Sequence, residues 1–373
     1  MKAVSLNTFK GCLFGGAVGD ALGYSVEFLS IAQIRDTYGP RGITKMQCIG
    51  REAQISDDTQ MTLFTANGIL TGMTKERLTG ERRAIERYIH NAYFDWYQTQ
   101  RFDGRRPSSN TSWLFNVADL HCVRAPGGTC LRALASGRMG TIEHPINSSK
   151  GCGGVMRISP VALYFAPPRY DIRQADRIGA NVAALTHGHP LGYISAAALT
   201  HLLSLCAYGD RPDDDALPAF VRETIAAVGE EFPNDPKAAV MQALLQSALD
   251  LSAQDGMDDL TAISSLGEGW VAEEAVAIAA YCALRHRGDF EAALLASVNH
   301  SGDSDSTGSI TGSILGAYLG YDSIPTSLID NVELFGVIRE IAEDLYTDCV
   351  AGDAAHCRTE KWQRKYVRAD YRL

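Results

Sequence analysis

Residues 9–23 read FKGCLFGGAVGDALG, and residues 306–320 read STGSITGSILGAYLG. In the first stretch Gly11, Gly15, Gly19 and Gly23 recur every four residues, and in the second Gly308, Gly312, Gly316 and Gly320 do the same. Both stretches space apolar residues three and four apart, so both are expected to be helices. Glycine inside a helix costs about 1 kcal/mol against alanine, so eight such positions need a reason. Four-residue spacing keeps them on one slowly turning face, and a face without side chains lets another backbone come close. The two stretches are therefore expected at the centre of the fold, packed on each other or on a shared neighbour.

The same helical period runs through residues 57–72, 83–100, 171–187, 190–207, 238–254 and 271–286. No series of alternating strands appears, nor the helix–strand alternation that builds a parallel sheet. The pattern predicts an all-α fold of roughly a dozen helices, with a single domain over 1–350 and a basic C-terminal segment over 351–373. Turn-rich stretches at 101–112, 124–129, 141–154 and 208–218 are read as loops. Residues 357–373 hold six Lys or Arg against two acids and are expected to be a solvated tail.

The composition narrows the function classes. The chain has 373 residues, 46% hydrophobic and 21% charged, which fits a packed core and excludes a disordered chain. Its 34 Lys and Arg against 44 Asp and Glu leave a net charge of −10, which argues against a nucleic-acid partner. It does not argue against a phosphate-bearing small molecule, which backbone N–H groups or metal ions can hold. The nine cysteines form no Cys-x-x-Cys pair, so reduced thiols and a cytoplasmic location are expected. The first ten residues have no signal-peptide layout, and no apolar run approaches the roughly 20 residues of a membrane span, so no membrane partner is expected.

Each glycine-rich helix adjoins acids and hydroxyls: Asp20 and Glu27 near the end of the first, Asp303, Ser304, Asp305 and Ser306 at the start of the second. Ser56-Asp57-Asp58-Thr59 opens a third helix. Taken singly, each cluster is explained by N-capping. Taken together, converging carboxylates would repel unless cations sat among them, and oxygen donors of this kind suit Mg²⁺, Mn²⁺ or Ca²⁺, not Zn²⁺ or Cu²⁺.

Ser148-Ser149-Lys150-Gly151-Cys152-Gly153-Gly154-Val155-Met156-Arg157 is a glycine loop. It is either a plain turn or an anion nest of successive N–H groups; its spacing is not that of a Walker A loop. Ala125-Pro126-Gly127-Gly128-Thr129 is a weaker case of the same kind. In Thr186-His187-Gly188-His189-Pro190, Gly188 and Pro190 fit the end of one helix and the start of the next. His187 and His189 are read as capping groups, ligands or substrate contacts, with substrate contact favoured for His187. Cys152 lacks an adjacent base, which weighs against a nucleophile.

Taken in order, GCLFGGAVGDALGYSVEF (11–28), ISDDTQMTL (55–63), APGGT (125–129), SKGCGGVMRISPVAL (149–163), THGHPLGY (186–193) and HSGDSDSTGSITGSILGAYLG (300–320) resemble the ADP-ribosylglycohydrolase family. The resemblance implies an orthogonal helical bundle around a binuclear Mg²⁺ or Mn²⁺ site. It implies Ser56, Asp57, Asp58, Asp303, Asp305 and Ser306 as metal ligands, with Glu27 as the catalytic acid position and Asp303 as a second candidate for the proton. It places ADP-ribose on Gly127, Gly128, Ser149, Gly151, Cys152, Gly153, Gly154 and Met156, with His187 beside the nucleotide. Two departures stand out: serine replaces the common threonine at 56 and 306, and Gly151-Cys152-Gly153 replaces Gly-Asn-Gly. The implied activity is removal of ADP-ribose from a modified protein side chain, with the N-glycosidic bond to arginine as the expected linkage. Serine-linked ADP-ribose, a small ADP-ribose metabolite, or an immunity role against an ADP-ribosyltransferase are the alternatives.

Overall fold

The computed structural model describes residues 4–101, 110–210, 216–351 and 353–373. Among these the chain forms seventeen α-helices and one two-stranded antiparallel ribbon, Cys48–Ile49 with Glu52–Ala53. The fold is all-α, as the hydrophobic period predicts. The loops expected at 101–112 and 208–218 include residues 102–109 and 211–215, which lie outside the described residues.

The two glycine-rich stretches are the helices Leu6–Tyr24 and Ser304–Leu319, and they pack antiparallel on each other. Gly11 faces Gly316, Gly15 faces Gly312, and Gly19 faces Gly308. At seven of the eight ladder positions a Cβ would lie under 3.0 Å from the partner helix's backbone, so only glycine allows this approach. Gly320 serves differently: it ends its helix with φ +94°, a left-handed conformation that favours glycine. Both helices are buried along nearly their whole length, which explains why neither has a polar face.

Five expected helices appear within three residues of their predicted limits, as Ile85–Thr99, Ile172–Ala184, Pro190–Tyr208, Pro236–Ser252 and Ala272–Arg285, while the helix expected over 57–72 runs seven residues further, as Asp57–Thr79. Pro190–Tyr208 is, by length and composition, apolar enough to cross a membrane, with a mean hydropathy of 1.4, contrary to the expectation that no such run exists. It is packed inside the protein on every side, as helices that are apolar all round must be. All nine cysteines are free thiols.

The C-terminal segment is docked, not solvated. Trp362 Nε1 donates to Thr74 Oγ1 at 2.8 Å, and Lys365 is 1% exposed between Glu340 and Asp344. A net charge count misses this because the partner acids lie on another helix, Phe335–Val350.

Candidate active site

The register of the glycine ladder brings the acids together. A Cβ on Gly23 would meet the backbone of Ser304, so the end of the first glycine helix lies against the start of the second. Glu27 thereby reaches Asp303 and Asp305, and one carboxylate oxygen from each of the three lies within 4.8 Å of the others.

Asp20, one turn earlier, is fully buried and fastens the third cluster. Its carboxylate accepts from Ser56 N at 2.9 and 3.1 Å, from Thr59 N at 3.0 Å and from the Thr59 hydroxyl. This holds the N-terminus of the helix Asp57–Thr79 on the first glycine helix. Ser56 Oγ accepts from Asp58 N at 3.2 Å and caps that helix. Asp57 Oδ2 accepts from Gly127 N at 3.1 Å and so ties down the loop of residues 125–128. In that loop Ala125 takes φ +48°, a conformation rarely adopted by residues with a side chain, next to the site.

Asp303 caps the second glycine helix, and the Cys152 thiol donates to its Oδ2 at 2.7 Å. Burial, then Asp303 and Asp58, holds that thiol well above its usual range, the opposite of an activated nucleophile. The glycine loop itself is a short 3-10 turn over Cys152–Gly154. It is laced to a distant segment: Cys152 N donates to Trp270 O at 3.3 Å, and Ala272 N to Lys150 O at 2.8 Å.

His187 is buried behind this turn. Arg157, which only donates, gives a hydrogen bond of 2.6 Å to Thr186 Oγ1. The Thr186 hydroxyl also lies 2.8 Å from His187 Nδ1, and Nε2 is the ring nitrogen nearest Gly151. Burial, then the Arg157 charge, pushes the His187 imidazole down to about 3, so the ring is neutral. Arg157 is itself fully buried over the Tyr93 ring, 4.2 Å from its centroid, with no carboxylate among its partners in the described residues.

These groups line one cavity of about 350 Å³. Glu27, Asp57, Asp58, Asp303, Asp305 and Ser306 line it together with Gly127, Gly128, Gly151, Cys152, Gly153, Met156 and His187. Three sequence-predicted residues stand off from it. The Ser56 hydroxyl is engaged as a cap, Gly154 lies behind the turn against His187, and Ser149 lines the neighbouring cavity. Two aromatic residues absent from the sequence reading complete the mouth: Phe28, 70% exposed, and Trp270, their rings stacked 6.0 Å apart. Phe28 follows Glu27 directly, a signal that could have been used; nothing in the sequence ties Trp270 to this place.

Among the described residues no Lys or Arg lines the cavity, so none of their side chains neutralises the carboxylates. Glu27 is pushed up to about 10 by burial and then by Asp305 and Asp303, and burial likewise holds Asp57, Asp58 and Asp303 well above the carboxylate range. Glu27 Oε2 and Asp58 Oδ2 are buried without a hydrogen-bond partner among the described residues. Orphaned carboxylate oxygens and a nearly all-oxygen donor set fit hard divalent cations.

The chain is similar over nearly its whole length to several known proteins. An ADP-ribosylhydrolase ARH3 from Danio rerio is 27% identical over 379 residues, covering 91% of this chain and 90% of its own. An ADP-ribosyl-[dinitrogen reductase] glycohydrolase from Rhodospirillum rubrum is 25% identical over 337 residues, covering 89% of this chain and 92% of its own. A solved structure titled ADP-ribosylglycohydrolase-related protein complex shares the fold, with a TM-score of 0.58 at 20% identity over 92% of this chain and 99% of that one. The family model for ADP-ribosylglycohydrolase matches residues 1–354. With nearly its whole length matched and the family's acidic and glycine motifs gathered around one cavity, the chain belongs to the ADP-ribosylglycohydrolase family.

Proposed function

We propose that this protein hydrolyses the bond between ADP-ribose and a modified protein side chain, and that the bond is the N-glycosidic link to arginine. The observation that carries the reading is the convergence of five carboxylates and a glycine turn on one cavity. Ser56, Asp57, Asp58, Asp303, Asp305 and Ser306 would hold two Mg²⁺ or Mn²⁺ ions, with Ser56 turning its hydroxyl from its capping role. Such ions, when bound, supply Lewis acidity at the terminal ribose.

The chain's own groups account for the rest. Gly127 N, Gly151 N and Cys152 N are engaged with Asp57, Ser149 Oγ and Trp270 O, so the remaining N–H groups of the 151–154 turn and of the Gly128 helix start hold the diphosphate, with the neutral His187 ring beside them. As the bond to the leaving group breaks, positive charge develops on the sugar, and the surrounding carboxylates stabilise it. Glu27 handles the proton of the incoming water, with Asp303 as the second candidate.

The arginine linkage is supported by the mouth. The exposed Phe28 and Trp270 rings beside Glu27 offer flat apolar faces, and a guanidinium stacks on such faces more readily than a serine hydroxyl. The test is release of ADP-ribose from arginine-modified and serine-modified peptides, with Mg²⁺ and with excess EDTA. Release is expected from the arginine peptide, only with metal, and reduced at least about a hundredfold in Asp303→Asn and Asp305→Asn. Full activity in EDTA would sink the metal-assisted reading; faster release from serine would replace the linkage.

A further inference from the structure

Arg157 does not line the acid-lined cavity, yet it stands one side chain behind its wall. Its guanidinium lies 3.5 Å from Cys130 Sγ and 2.6 Å from the hydroxyl of Thr186, the residue before His187. Cys130 and His187 both line the cavity. Gly153 rests on this pair, since a Cβ there would lie 2.9 Å from Cys130 Sγ and 3.1 Å from His187 Cε1. From the interior outward the order is Arg157, then Cys130 and His187, then the glycine turn, then the cavity.

The Arg157 charge is not balanced by its neighbours. Its other contacts are Met61 Sδ at 3.4 Å, the Val182 carbonyl at 3.4 Å and the Tyr93 ring, all uncharged. Its Nε is buried without a partner among the described residues. A guanidinium stays charged even in such a place, and in a weakly polarisable interior its field reaches across several ångströms. Both wall groups register it. Burial pushes the Cys130 thiol up and the Arg157 charge opposes that, while burial and then Arg157 push the His187 imidazole down.

We propose that Arg157 is the counter-charge for the ligand's diphosphate, acting through the glycine turn without touching it, and that it biases this end of the cavity toward ligands with an anionic diphosphate linker. The inference rests on the function proposed above, which lays the diphosphate on the 151–154 turn. It divides the cavity into a carboxylate end that takes cations and a turn end that favours anions. An arginine at the mouth would be screened by salt and open to any passing anion; a buried one is not.

The experiment uses the full-length protein and the neutral variants Arg157→Gln and Arg157→Met, the second burying no polar group. ADP-ribose affinity is measured by calorimetry at saturating Mn²⁺, and Mn²⁺ affinity without ADP-ribose by paramagnetic resonance of the free ion. ADP-ribose is expected to bind at least about tenfold more weakly in the variants, while Mn²⁺ binds as in the wild type or tighter. A residue that only braced the wall would weaken both ligands together. In the wild-type protein, ADP-ribose affinity should change less than about twofold between about 50 and 500 mM KCl, because a buried charge is screened little. If neither variant folds, this salt series decides alone. Unchanged ADP-ribose affinity in the variants, joint weakening of Mn²⁺, or a steep salt dependence overturns the counter-charge and leaves the proposed function standing. Failure of ADP-ribose to bind the wild-type protein overturns both.

Discussion

A buried guanidinium without a carboxylate beside it is costly, and Arg157 persists at such a place because of what it fixes. It donates to Thr186, whose hydroxyl is in hydrogen-bond contact with His187 Nδ1, and so holds the His187 ring in place. One consequence can be measured in the pH dependence of folding. The ordinary imidazole value is 6.5, and that of His187 in the folded protein is about 3. Between these values the unfolded chain binds a proton that the native state refuses. The native protein therefore has its full stability above 6.5 and loses it as pH falls toward 3, by about 1.4 kcal/mol per pH unit from this group. Replacing His187 by Gln should remove one proton from that slope, as read from urea unfolding between pH 7 and 4.5. A residue that only filled space would shift the curve evenly and leave the slope unchanged. In the sequence, His187 could be singled out by its place between two helix ends; Arg157 could not, because the partners that explain it come from residues 61, 93, 130, 182 and 186.

The ladder between the helices Leu6–Tyr24 and Ser304–Leu319 was legible because its cause is local: four-residue spacing states which face must be bare. The spacing does not say which residue faces which, and that pairing is what sets Glu27 beside Asp303 and Asp305. The helix starts at Asp57 and Ser304 were legible for the same local reason. Asp20 was not legible as the anchor of Ser56 and Thr59, since a buried acid inside a glycine-rich helix has no sequence signature for its distant partners. Structure and site are thus coupled through register. Gly312→Ala would thrust a Cβ against the Gly15 carbonyl, where backbone meets backbone and no rotamer change gives relief. We expect a loss of roughly 3 kcal/mol or more in chemical denaturation, together with weakened Mn²⁺ binding as the acids are displaced. Gly288→Ala, with nothing within 4 Å of its Cβ, should change stability by no more than about 1 kcal/mol. Similar stabilities for the two variants would remove the ladder's role.

At the scale of the whole molecule, the family match ends at residue 354, and the residues beyond it close the fold. Asp348, fully buried, gathers Arg77 at 3.0 Å, His356 at 2.6 Å and the Tyr164 hydroxyl. Further on, the carbonyl of Ala369 accepts from Asn110 and Asn116, and Tyr371 packs edge-on against Trp113. The basic count of this segment suggested a solvated tail because charge along a sequence carries no record of the acids it will meet across space. Lys365 tests the difference. Buried between Glu340 and Asp344, it is expected to act as a clasp, and Lys365→Met would keep the stem's packing while stranding carboxylate charge in a largely buried setting. Lys361 still reaches Glu340 at 2.5 Å, so the cost falls mainly on Asp344 and should be about 2 kcal/mol, at the lower end for a broken buried pair. Adding Asp344→Asn should recover part of the loss, since the stranded group is then neutral. Metal binding should stay unchanged in both variants, because Ser56 and Thr59, which flank Asp57 and Asp58, are held by Asp20 and not by the clasp. Unfolding in urea and Mn²⁺ titration together decide it: wild-type stability in Lys365→Met would return the segment to the status of a charged tail.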